Sequence, residues 1–111
     1  MSYLPINRGN DRILEVDVRD AQDTPINITG ASLFFYVSKR KFGDVIIIKS
    51  IGNGITVVGA PEGKIEVDIT NQDTNLPLGD YYYELLLEDV EGNRYTVLQG
   101  TLEITHSIGG V

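Results

Sequence analysis

Leu78-Gly79-Asp80-Tyr81-Tyr82-Tyr83-Glu84-Leu85-Leu86-Leu87-Glu88-Asp89 carries the clearest strand pattern in this chain. Successive side chains of a strand point to opposite faces. From Tyr81, a period of two therefore puts Tyr81, Tyr83, Leu85 and Leu87 on one face and Tyr82, Glu84, Leu86 and Glu88 on the other. One face is apolar and the other mixed, the pattern of a strand with a core on one side.

Working outward, the same alternation recurs. Leu14, Val16 and Val18 alternate with Glu15, Asp17 and Arg19. Leu33, Phe35 and Val37 share a face in an aromatic and β-branched run, and so do Ile65, Val67 and Ile69. Val45-Ile46-Ile47-Ile48 is continuously apolar and short, which predicts a buried strand. Asn53-Gly54 is the strongest hairpin dipeptide and leads into Ile55-Thr56-Val57-Val58. Glu91-Gly92-Asn93 reverses the chain into residues 94–98, and Gly100 predicts a bulge before Thr101-Leu102-Glu103-Ile104-Thr105. Residues 70–75 carry capping side chains and are given one short helical turn at most. Strands return about every 8 to 12 residues with turn signals between them, the interval of a sandwich or barrel. The expected core is Leu14, Val16, Val18, Leu33, Phe35, Val37, Ile65, Val67, Ile69, Tyr83, Leu85, Leu87, Leu102 and Ile104.

At 111 residues the chain fits one domain, 1–111, with residues 1–7 as an N-terminal arm and 106–111 as a flexible C-terminal tail. It has no cysteine, so no disulfide framework, Cys-based metal site or thiol nucleophile is available. No apolar run approaches the roughly 20 residues of a membrane span, and the start shows no secretory signal order. A soluble protein made in a cytoplasm is expected. The net charge of −7, from 16 acidic and 9 basic side chains, repels phosphate backbones, so nucleic acid is not an expected partner. Lys39-Arg40-Lys41-Phe42 is the one basic cluster and reads as a solvated strand end.

Little in the sequence supports chemistry. His106 stands alone in the tail without a second base or carboxylate at fixed spacing, and with no cysteine a zinc site lacks ligands. Asp68, Asn71 and Asp73, and again Asp89, Glu91 and Asn93, crowd oxygen ligands in the manner of a calcium site. Neither group matches the EF-hand spacing, and both read as turn chemistry. No catalytic residue, cofactor or metal is expected, and the chain is not read as an enzyme.

Leu76-Pro77-Leu78-Gly79-Asp80-Tyr81 resembles the tyrosine corner of immunoglobulin-like sandwiches, with Gly79 and Tyr81 as its structural residues. More of the chain resembles small bacteriophage virion proteins with an immunoglobulin-like fold, including the amino-terminal domain of upper-baseplate proteins that attach receptor-binding proteins to a tail. The matching features are Arg8-Gly9 before an alternating strand, and Val18-Arg19-Asp20-Ala21 leading to Thr24-Pro25-Ile26-Asn27-Ile28-Thr29-Gly30-Ala31. They continue through Gly54-Ile55-Thr56-Val57, Gly63-Lys64-Ile65-Glu66-Val67, residues 78–85, Gly92 and Leu98-Gln99-Gly100-Thr101-Leu102. The resemblance covers residues 8–105. It implies an all-β, immunoglobulin-like antiparallel sandwich of seven to nine strands acting as a structural or adaptor protein of a virion, in baseplate, tail or head. Its partners would be other phage structural proteins, with many copies per particle. A free-standing carbohydrate or cell-surface binding module is the alternative. Tyr3, Leu4 and Ile6 in the arm, with Ile108 and Val111 in the tail, are the candidate contact residues, since apolar side chains on terminal segments can add to a sheet edge.

Overall fold

The computed structural model describes residues 2–40 and 43–106 and contains, among them, eight strands and no helix. The strands are β1 (Ser2–Asn7), β2 (Arg12–Asp17), β3 (Ser32–Ser38), β4 (Val45–Ile51), β5 (Gly54–Gly59), β6 (Lys64–Ile69), β7 (Gly79–Glu88) and β8 (Arg94–Thr105). They form one mixed sheet in the order β1-β8-β7-β3-β4-β5-β6-β2, which curls nearly into a barrel. Pairing is antiparallel except where β1 runs parallel to β8 and where β4 touches β5.

The alternation of the opening stretch positions everything else. Tyr81, Tyr83, Leu85 and Leu87 of β7 are buried and the residues between them are not. Leu87, Leu85 and Tyr83 stand directly opposite Leu33, Phe35 and Val37 of β3. The Tyr83 and Phe35 rings are tilted against each other at 5.7 Å. Ile55, Ile65, Val67 and Ile69 from the far half of the sheet join the same hydrophobic cluster. Each such side chain contributes on the order of 1.5–3 kcal/mol by leaving water.

Several expectations need correction. The arm is strand β1, and Leu4 and Ile6 are core side chains, 6% and 4% exposed. The run from Val45 to Ile48 is a strand but not a buried one: Val45, Ile46 and Ile48 are exposed and Ile47 is half-buried. Among the described residues, β4 has β3 on one side and meets β5 only at Ser50 and Ile51, so the core covers it incompletely. Asn53-Gly54 does not close an antiparallel hairpin. Gly52 and Gly54, at φ 83° and 100°, turn the chain so that β5 leaves roughly along β4 and pairs antiparallel with β6. Gly100 is not the bulge. The register of β7 against β8 shifts between Leu85 and Leu86, where Leu98 and Thr96 are the partners and Val97 is the extra residue. Gly100 is buried opposite Tyr83. Leu14 and Val16 are half-buried because β2 ends the sheet order, and Ile28, Ile55 and Tyr81 join the core instead.

Candidate interaction surface

Gly79 opens β7 and Tyr81 follows two residues into the strand. The Tyr81 hydroxyl donates to the Pro77 carbonyl at 2.7 Å, and the ring is 2% exposed. Burial pushes this hydroxyl above its ordinary pKa, with the Arg8 cation opposing, so it remains a donor at neutral pH. The Lys39 ammonium caps the ring, 4.4 Å from its centroid. Gly79 has φ 138°, open to glycine and strained for other residues. Tyr81→Phe is expected to cost about 0.5–1.5 kcal/mol, the net worth of one hydrogen bond, read as a lower denaturant midpoint with unchanged slope. These two residues hold a corner and offer nothing to a ligand.

Of the proposed contact residues that are described, Tyr3 alone is on the surface, 62% exposed, with its hydroxyl donating to Glu103. Leu4 and Ile6 are enclosed, and Ile108 and Val111 lie outside the described residues, as do Lys41 and Phe42. His106 is exposed beyond the end of β8. One carboxylate in each of the two oxygen-rich turns already has partners. Asp89 Oδ1 accepts from the amides of Glu91 and Asn93, each at 2.9 Å. Asp73 Oδ2 accepts from the Thr70 amide at 2.8 Å and from Lys49 Nζ at 2.6 Å. Among the described residues no group of three metal-ligating side chains comes together.

The Lys49–Asp73 pair is a tie between β4 and the turn after β6, with both side chains largely buried. Burial alone raises the Asp73 carboxyl, but the hydrogen bonds from Lys49 and Thr70 outweigh it and leave the pKa below the ordinary value. A carboxyl lowered in the folded state adds stability above its unfolded pKa of about 3.9 and loses it as pH falls through the folded value. Lys49→Met is therefore expected to cost about 1.5–3 kcal/mol at pH 7, with the gap to wild type closing below about pH 4. Thermal melts of both proteins across that range are the check.

What sequence reasoning missed is a surface. The outward side of β4, β3, β7 and β8 carries Ile48, Phe34, Tyr36, Tyr82, Leu86 and Glu84. The register sets Tyr36 between Ile48 and Glu84, and Phe34 between Ser50 and Leu86. Phe34 and Tyr36 stack with ring centroids 6.2 Å apart and planes 13° from parallel. Ile48 is 58% exposed, and Val45, Ile46 and Tyr82 are exposed beside it. Aromatic and aliphatic side chains with few charges between them are what protein interfaces concentrate at their centres. A depression of about 220 Å³ opens on this face among Tyr36, Val45, Tyr82, Glu84 and Gln99. The available signal was the mixed face of the opening stretch together with Phe34 and Tyr36, which share the second face of the β3 run and are only half-buried among the described residues.

A larger depression, about 700 Å³, lies between the β2–β3 connection and the β7–β8 turn, with Ile26, Leu87, Val90, Tyr95 and Val97 in its lining. Its polar groups are committed to turns: Asp20 accepts from the amides of Gln22 and Thr24, and Arg19 donates to the Asp23 carbonyl. Comparison of the chain with protein-family models, with curated proteins and with solved structures gives no match.

Proposed function

We propose that this chain is a non-catalytic structural or adaptor component of a bacteriophage particle, attached to a neighbouring protein through the outward face of β4, β3, β7 and β8. The observation that carries the contact mode is that face: exposed Ile48 and Tyr82 beside the stacked, half-buried rings of Phe34 and Tyr36. The virion assignment rests on the ordered series of motifs described above, from Arg8-Gly9 to Leu98-Gln99-Gly100-Thr101-Leu102.

The strand order supports an immunoglobulin-like sandwich as the scaffold. β4 and β5 pair at only two positions, Ser50 with Gly54 and Ile51 with Ile55. Divided there, the sheet falls into β1-β8-β7-β3-β4 and β5-β6-β2. Variable-type immunoglobulin domains divide their strands in this way, and they place a tyrosine near the start of the strand that Tyr81 begins here, bonded back to upstream backbone. Many copies in a symmetric particle turn a weak single contact into lasting attachment by raising effective concentration.

The test is particle incorporation. Ile48→Asp places a charge on the exposed face without touching the core. It is expected to fold with an unchanged melting temperature and to remain in the soluble fraction while wild type co-sediments with particles. Equal incorporation of the two proteins contradicts the contact surface. Specific hits on a glycan array would instead favour a sugar-binding module, since tyrosines beside polar side chains can also hold a sugar ring.

A further inference from the structure

The depression among the tyrosines has a chemistry of its own. Tyr36 of β3, Glu84 of β7 and Gln99 of β8 are register partners across three adjacent strands, so they form one row with Cβ atoms about 5 Å apart from strand to strand. Ser38 and Tyr82 form the next row, and Gly100, without a side chain, lies in the lining. Glu84 is half-buried beside these rings. Among the described residues its carboxylate has no ion-pair partner, whereas Glu88 on the same strand is paired with Arg94 and the half-buried Asp73 with Lys49. A carboxylate set beside aromatic faces offers a cation an ion pair and ring contacts together. Guanidinium suits such a place better than ammonium: it is planar, stacks on aromatic rings, holds a carboxylate with two parallel hydrogen bonds and gives up its water more readily.

We propose that this depression is the seat of an arginine side chain of the partner protein, held by the Glu84 carboxylate, the Tyr36 and Tyr82 rings and the Gln99 amide. The assignment rests on the docking surface proposed above and names the chemistry its partner must bring. A second copy of this chain is the wrong occupant for this face. Stacking two copies about an axis through the depression would set Glu84 against Glu84 in molecules that each carry a net charge of −7. The same charge draws in a basic partner.

The test titrates the full chain with acetyl-arginine methylamide, and in parallel with the neutral acetyl-citrulline methylamide, while backbone amide resonances are followed by NMR. The arginine probe is expected to shift Tyr36, Tyr82, Glu84 and Gln99 in a saturable way at millimolar concentration, and the citrulline probe to leave them unmoved. Glu84→Gln should weaken the response roughly fivefold, the scale of one exposed ion pair. Equal shifts with both probes, or none with either, overturn the proposal. So does a response that appears only in Lys41→Ala, because the chain's own lysine would then fill the seat. If the arginine probe fails while Ile48→Asp still abolishes incorporation, the arginine assignment falls and the docking face stands. If Ile48→Asp also incorporates normally, both fall.

Discussion

Gly63→Ala is expected to cost about 2–6 kcal/mol, from a positive-φ strain of about 1–3 kcal/mol and an overpacking cost of similar size. Gly63 sits just before β6 at φ 70° and is buried. A Cβ built there would lie 2.7 Å from both the Val18 and the Ile26 carbonyl oxygens. Those are backbone atoms held in place, because the Val18 amide donates to the Gly63 carbonyl at 2.8 Å and the Ile26 amide to the Val18 carbonyl at 3.0 Å. Neither can step aside without breaking the junction between the β2–β3 connection and β6. Gly52→Ala is the internal control: its φ of 83° carries similar strain, but no atom lies within 4 Å of the added carbon. It should cost only about 1 kcal/mol. Denaturant unfolding of both variants checks the contrast, and equal losses would show that the carbonyl contacts yield freely.

Removing residues 1–7 is the second large perturbation, with an expected loss of about 4–10 kcal/mol, since each large aliphatic side chain taken from a core costs about 2–5 kcal/mol. The segment contributes Leu4 and Ile6 to the core and covers the edge of β8 along six register pairs, from Ser2 with Gly100 to Asn7 with Thr105. A domain with about 5–15 kcal/mol in total is left marginal or unfolded by such a change. The truncated chain should accumulate poorly and bind hydrophobic dye. A shortened chain that melts with wild type would mean that β1 adds nothing to the fold.

The face alternation of β2, β3, β6 and β7 was legible because each strand has one wet and one dry side, and a period of two records that difference directly. Val45 to Ile48 misled for the same reason: a run without alternation reads as buried on both sides, yet here it lies at a weakly paired border of the sheet. β1 was undervalued because Leu4 and Ile6 are only two apolar positions around Pro5, and their burial depends on a parallel partner 98 residues further along. No local signal carries such a pairing. The Asn53-Gly54 dipeptide has strong turn chemistry, but the direction of the chain afterwards is set by which strand β5 finds, and that is β6. The candidate surface was half visible. The alternation set Tyr82 on the mixed face of its strand and Phe34 and Tyr36 opposite the apolar face of theirs, while the row of Tyr36, Glu84 and Gln99 needed the register of three strands to assemble it.

The most direct measurement of the central claim is antibody labelling of intact phage particles, followed by electron microscopy. Label is expected at fixed, repeated positions on the particle and is lost when the chain carries Ile48→Asp. Particles free of label, with the folded chain confined to the soluble fraction of the lysate, would contradict it.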